Sequence, residues 1–265
     1  MKIGNKEFDL KNHAYVMGIL NVTPDSFSDG GKWNDKGRAM RHTQEMIEQG
    51  ATIIDIGGES TRPGYTLISD EEEISRVVPM IEMVKKNFDV PVSIDTRVAE
   101  AALDAGADLL NDIWGLKYDP DLAGVIARKN APCCLMHNRK EPDYTDFIAD
   151  FLKDMQETID IAKKAGIADE NIILDPGVGF GKTYENNLEI INKLECMHTL
   201  GYPILLGTSR KSVIGLTLDL PADQRMEGTV ATTVIGVMKG VAFVRVHDVK
   251  ENYRALKMTE AILGR

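Results

Sequence analysis

Short apolar runs alternate with longer amphipathic stretches along the whole chain. Runs over 14–20, 52–56, 91–94, 109–110, 132–136, 171–174, 203–206 and 242–246 read as buried strands. Between them, polar and apolar positions recur with helical spacing over 38–48, 70–86, 98–105, 121–129, 146–164, 186–194, 222–239 and 249–263, and a short extra helix is expected over 211–217. Four acids, Asp70 to Glu73, open the second helix, where they suit the helix dipole. Gly106 closes the third. The stretch 33–38 reads as a compact loop, with Asn34-Asp35 as its turn signal.

Strict alternation of strand and helix implies parallel βαβ units, and the repeat is about thirty residues, as that unit requires. Eight such units over 265 residues predict a single-domain (β/α)8 TIM barrel spanning 1–265. The alternating segment 2–10 reads as a small N-terminal hairpin capping the barrel bottom. A doubly wound open sheet is the alternative, but such sheets usually carry a Gly-rich phosphate fingerprint after the first strand. The stretch Asn21 to Gly31 (NVTPDSFSDGG) is not that fingerprint.

Every predicted strand runs into polar residues. The ends are Asn21; Asp55 to Gly64 (DIGGESTRPG); Asp95-Thr96; Asn111-Asp112; Met136 to Arg139 (MHNR); Asp175 to Lys182 (DPGVGFGK); Gly207 to Ser212 (GTSRKS); and Arg245 to Asp248 (RVHD). In a barrel these ends meet on one rim, where the chemistry sits.

Charge and cysteine content narrow the classes. A formal net charge of -10 argues against a broad nucleic-acid footprint, yet leaves room for small anions at a local basic cluster. Cys133, Cys134 and Cys196 have no metal-type spacing, and the adjacent pair lies in an apolar strand; they read as buried thiols in a reducing cytosol. With no signal-like h-region and no apolar run long enough for a bilayer, a soluble cytoplasmic protein is expected.

The segments Gly18 to Gly31, Asp55 to Gly64, Ser93 to Thr96, Asn111-Asp112, Asp175 to Gly181, Gly207 to Ser212 and Arg245 to His247 together resemble the dihydropteroate synthase family of pterin-binding barrels. The resemblance covers nearly the whole chain. It implies condensation of a dihydropterin diphosphate with 4-aminobenzoate, giving dihydropteroate and pyrophosphate. Mg²⁺ as cofactor, a homodimer built on the later helices and sulfonamides as inhibitors are further implications. The connection from Asp95 to Ala99 is shorter than the family's usual pattern.

Residue chemistry agrees with that activity. A pterin edge of amino, ring N–H and carbonyl groups calls for buried carboxylate and amide partners, which Asp175 and Asn111 can supply, with Lys211 reaching a ring acceptor. Pyrophosphate calls for cations and oriented donors; Arg245 and His247 alternate on the last strand and so point to one face. By resemblance, Asn21 is the candidate contact for pyrophosphate or its Mg²⁺, and Thr61 joins the pyrophosphate site. Asp95 is the candidate carboxylate for a carbocation developing at the pterin methylene. Catalysis is thus expected of Asp95, Lys211 and Asn21, and pterin binding of Asp95, Asn111, Asp175 and Lys211. By resemblance, Phe27, Thr61, Arg62, Pro63, Phe180 and Ser212 form the 4-aminobenzoate pocket, with 23–33 and 60–65 as closing loops. Asp55 reads as structural, and Gly177, Gly179 and Gly181 are explained as well by backbone turning as by a phosphate loop. Two other readings use the same pterin recognition: a methyltransferase acting on a pterin-bound methyl group, which needs no diphosphate site, and a pterin-binding protein without turnover.

Overall fold

The computed structural model describes residues 1–22, 32–57, 69–95 and 98–265. A two-stranded antiparallel hairpin, β1 (Lys2–Ile3) and β2 (Lys6–Glu7), precedes the first long strand, β3 (Tyr15–Asn21). Then strands and helices alternate: α1 (Lys32–Glu48), β4 (Ala51–Gly57), α2 (Asp70–Asn87), β5 (Val92–Asp95), α3 (Ala99–Asp104), β6 (Leu109–Asp112), α4 (Leu122–Lys129), β7 (Cys133–Met136), α5 (Phe147–Ala165), β8 (Ile172–Asp175), α6 (Tyr184–Asn192), β9 (Leu205–Leu206), α7 (Ser212–Leu218), α8 (Met226–Met238), β10 (Phe243–Val246) and α9 (Val249–Ile262).

The sheet order β8-β7-β6-β5-β4-β3-β10-β9 is parallel throughout. A single parallel bridge between Leu174 and Ile204 joins its two edges, so the eight strands close into a barrel. The expected (β/α)8 architecture and the N-terminal hairpin are both present.

Two apolar clusters follow from the period-2 alternation of strand side chains. Outward positions such as Val16, Ile54, Ile94 and Leu174 pack against the helices. Inward positions Met17, Ile53, Leu109, Cys134, Ile173, Leu205 and Phe243 fill the barrel floor, joined by Ile3 and Phe8 from the hairpin. Two-residue strands are not stable alone; Ile3 and Phe8 anchor the hairpin by burying themselves in the floor. Cys133 and Cys134 are buried free thiols on opposite sides of β7, whereas Cys196 is half-buried.

Two sequence expectations are corrected. The stretch 33–38 is not a loop, because α1 starts at Lys32. An Asn-Asp pair serves the first turn of a helix as readily as a turn, since acids there meet the positive end of the dipole. The helix expected over 222–239 is broken into a 3-10 turn, Ala222–Gln224, and α8. Arg225 stands at the break, its side chain donating to the carbonyls of Leu220 (2.9 Å) and Arg210 (2.9 Å).

Candidate functional site

Two residues beyond the apolar floor, the inward positions turn polar. On β4 the step from Ile53 leads to Asp55; on β6, Leu109 leads to Asn111; on β8, Ile173 leads to Asp175; on β10, Phe243 leads to Arg245. The register Asn21↔Gly57↔Asp95↔Asn111 places Asn21, Asp95 and Asn111 on one row of the barrel wall. Alternation thus delivers a polar layer above the floor without any long-range instruction.

Arg245 lies at one side of this layer. Its Nε donates to Asp55 Oδ2 at 2.7 Å, and Nη2 stands 2.6 Å from the same oxygen and 3.5 Å from Asp95 Oδ2. Asp55 is wholly buried, and its other oxygen accepts a hydrogen bond from Ser93 Oγ at 2.5 Å. The strand expected over 52–56 runs on to Gly57 in the structure, which sets Asp55 inside the wall as the anion that holds Arg245. Burial raises the Asp95 carboxyl to about 7, against the pull of Arg245 and with added repulsion from Asp55.

Asp175 and Lys211 face each other across Gly207. A Cβ built on Gly207 would stand 3.6 Å from Asp175 Oδ2, 3.8 Å from Lys211 Nζ and 3.9 Å from Arg245 Cβ. The absence of a side chain at Gly207 therefore leaves the space these three groups border. Burial pushes the Lys211 ammonium down to about 8 while Asp175 resists; burial raises the Asp175 carboxyl, with Lys211 opposing. Lys211 Nζ donates to the Val178 carbonyl and lies 4.8 Å from the centre of the Phe180 ring. Asn111 is buried, and its Oδ1 has no hydrogen-bond partner among the described residues. An acceptor left unsatisfied inside a protein is costly unless something supplies a donor.

His247 follows β10. Its backbone N–H donates to Ser209 Oγ at 3.1 Å, and its Nδ1 lies 2.9 Å from the same oxygen. The loop carrying Ser209 is braced from behind. Arg210, in the left-handed region at φ 58°, reaches Asp248 with Nε at 3.1 Å and Nη2 at 2.5 Å. Ser212 is exposed at the first position of α7. Asn21 is half-buried at the end of β3.

The structure thus brings Asp95 to Arg245 and gathers Asp175, Lys211 and Arg245 around Gly207, with Phe180 beside Lys211 and Asn111 on the inner wall. Phe27, Thr61, Arg62, Pro63 and both expected closing loops lie outside the described residues, as does the Thr96-Arg97 connection; α1 takes in the last positions of 23–33. Asp112 is a turn former: its carboxylate accepts from the N–H groups of Trp114 (2.9 Å) and Leu116 (2.5 Å).

Sequence reasoning passed over one group of residues, behind the loop from Asp175 to Lys182. Gly177, Gly179 and Gly181 all have positive φ, and a Cβ on Gly177 would fall 1.9 Å from the His137 carbonyl oxygen. Backbone turning is enough to require these glycines. Lys182 folds under the loop and donates to the carbonyls of Gly177 (2.9 Å) and Phe180 (3.0 Å), with Nζ 2.8 Å from His137 Nδ1. His137 Nε2 lies 3.0 Å from Asp154 Oδ2, which also accepts from Arg139 Nε at 2.6 Å. Burial lowers the His137 imidazole to about 4 and the Lys182 ammonium to about 7. The sequence signals for this network were the polar strand end holding His137 and Arg139 and a lysine at the end of a glycine-rich turn.

A family model described as pterin binding enzyme matches residues 17–247. A dihydropteroate synthase of Clostridium beijerinckii is 64% identical over 269 residues, covering all of both chains. A crystal structure of dihydropteroate synthase from Clostridium difficile in the presence of pteroic acid superposes with a TM-score of 0.95 at 49% identity, covering 98% of this chain and 100% of that one. A Yersinia pestis dihydropteroate synthase in complex with a sulfonamide drug superposes with a TM-score of 0.93 at 42% identity, covering 100% of this chain and 99% of its own.

Proposed function

The chain belongs to the pterin-binding enzymes, among the dihydropteroate synthases, and from that premise we propose that it joins 6-hydroxymethyl-7,8-dihydropterin diphosphate to 4-aminobenzoate, releasing pyrophosphate. The observation that carries the reading is the buried Asn111 Oδ1, without a hydrogen-bond partner among the described residues, on the inner wall that also bears Asp175, with Lys211 in the loop beyond β9. A pterin edge supplies N–H donors for Asn111 and Asp175 and a ring acceptor for the Lys211 ammonium. Asp175 and Lys211 each oppose the effect of burial on the other's charge.

In this mechanism the methylene C–O bond breaks first, and its electron pair leaves with pyrophosphate. The electron-rich dihydropterin carries the positive charge that develops. Asp95, fixed beside Arg245, stabilises it electrostatically in a water-poor site. The neutral amine of 4-aminobenzoate then attacks the methylene and sheds a proton, so no strong base is required. Arg245 and His247 meet the leaving group, with Asn21 and Thr61 beside them.

Asn21 also gives the site a hard oxygen donor. Among the described residues no three His, Cys, Asp or Glu side chains cluster as a metal cage. That donor set fits Mg²⁺, which keeps several waters and takes few protein ligands when it accompanies phosphates. Held by Asn21 and the diphosphate, Mg²⁺ would offset charge on the leaving oxygens.

Phe27, Thr61, Arg62, Pro63, Phe180 and Ser212 are the proposed walls for 4-aminobenzoate, and sulfonamides would compete there. Exposed Ile235 and Met238 on α8 and Met258 and Ile262 on α9 support a homodimer through these helices. No described helix is long and apolar enough to cross a membrane, and the reading sets the reaction in the cytoplasm.

The deciding experiment measures pyrophosphate release from the dihydropterin diphosphate with Mg²⁺, with and without 4-aminobenzoate. Release that requires 4-aminobenzoate and yields dihydropteroate is expected. Bound pterin without release would leave a binding protein instead.

A further inference from the structure

We propose that Lys182 is a positioning residue for the substrate pocket, acting through the turn that carries Asp175, Val178 and Phe180. The proposal rests on the synthase reading and deepens it.

An ammonium has three protons, and Lys182 Nζ has three acceptors in reach: Gly177 O at 2.9 Å, Phe180 O at 3.0 Å and His137 Nδ1 at 2.8 Å. The two carbonyls lie near the start and the end of the turn, so one buried cation ties both. The third acceptor fixes the histidine. With Nδ1 accepting from Lys182, the proton of neutral His137 sits on Nε2 and is donated to Asp154. Asp154 is anchored in turn by Arg139 through Nε (2.6 Å) and Nη2 (3.1 Å). A hydrogen-bonded chain therefore runs from α5 to the underside of the turn.

The upper side of the same turn meets the proposed substrates. Its Val178 carbonyl accepts from Lys211, and its Phe180 ring lies under the Lys211 ammonium. Asp175 Oδ1 accepts from Gly177 N–H at 2.7 Å, so displacement of Gly177 also moves the carboxylate. Two further ties, Gly179 N–H to Asn187 Oδ1 (2.6 Å) and Tyr144 O–H to the Gly181 carbonyl (2.7 Å), hold the turn's flank but touch neither Gly177 nor Phe180. They keep the chain folded when Lys182 is changed, while the Phe180 carbonyl loses its Lys182 donor and the Gly177 carbonyl keeps only the Phe180 N–H at 3.1 Å. Asp95 and Arg245 approach from β5 and β10 and do not depend on this turn.

The consequence is a division of effects. Loss of the Lys182 donors loosens Phe180 and Lys211, and so weakens capture of both substrates, while the groups assigned to the charge-developing step stay in place. Lys182→Met keeps the length of the side chain and removes its donors. Steady-state kinetics on the full chain are expected to show KM for 4-aminobenzoate raised at least tenfold and KM for the dihydropterin diphosphate raised severalfold, with kcat within about threefold of wild type. Lys182→Gln keeps an N–H donor and is expected to recover part of the lost affinity. If Lys182→Met does not accumulate as folded protein, the same comparison is made between Lys182→Gln and wild type. Unchanged KM values overturn the proposal, as does a fall in kcat alone or a Lys182→Gln enzyme no better than Lys182→Met. A wild-type chain that releases no pyrophosphate refutes the synthase reading itself, a result separate from any of these.

Discussion

Asp55 and Arg245 are 190 residues apart in the chain and meet as a buried ion pair in the barrel wall, with Arg245 Nε 2.7 Å from Asp55 Oδ2. The pair fixes where the cation stands and, through it, the environment of Asp95. Asp55→Asn leaves Arg245 with Asp95 as its nearby carboxylate. Removing one member of a buried pair typically costs about 3 kcal/mol or more, and urea unfolding should register a loss of that order. The same variant should lower the pKa of Asp95, because one repelling carboxylate is gone and Arg245 is freed toward it.

That shift has a kinetic sign. The proposed role needs Asp95 ionised, and its carboxyl in the free protein is raised to about 7. kcat/KM should therefore rise with pH through about 7 and fall again above about 8 as the Lys211 ammonium loses its proton, because this parameter reports the free enzyme. In Asp55→Asn the rise should move to lower pH. An acid limb that stays in place would remove Asp95 from the rate-determining chemistry.

Asp95→Asn and Lys211→Ala should fail differently. Asp95→Asn retains pterin binding and loses turnover by about a hundredfold or more, the scale of one lost electrostatic group. Lys211→Ala weakens pterin binding itself, measured by titration with a non-reacting pterin. Normal pterin affinity in Lys211→Ala would move Lys211 out of the site.

Gly207→Ala tests the space between Asp175, Lys211 and Arg245. The added Cβ would meet its neighbours at 3.6 to 3.9 Å, ordinary van der Waals contact, so the melting temperature should hardly change. The methyl group would nevertheless occupy the room assigned to the pterin, and affinity for it should fall at least tenfold. Wild-type affinity would place the ring elsewhere.

The network under Lys182 predicts acid sensitivity. His137 titrates at about 4 in the folded protein, against about 6.5 unfolded. Between these values the unfolded chain binds the extra proton, so stability falls as pH falls from about 6.5 to about 4, by on the order of 3 kcal/mol. His137→Asn should flatten that part of the stability curve, whatever it does to stability at pH 8. Denaturant unfolding at several pH values checks both statements.

Much of the architecture was legible in the sequence for a local reason. Strand side chains alternate, so the apolar runs at Tyr15–Asn21, Ala51–Gly57 and Phe243–Val246 announced both their burial and the polar residues at their ends. Asp95, Asn111, Asp175, Lys211 and Arg245 were readable because each stands where an apolar run stops or just beyond. Local pattern fails where partners are distant. The sequence could offer Asp55 only as a structural residue; that it grips Arg245 follows from barrel closure, which pairs β10 with β3, one strand away from β4. The role of Lys182 depends on α5 lying behind the turn, so that Asp154 and His137 can balance a buried ammonium. Sequence by itself determined the order of elements and the residues carried to the rim. Tertiary structure alone decided which charges neutralise one another, because burying a charge is favourable only when packing supplies its partner.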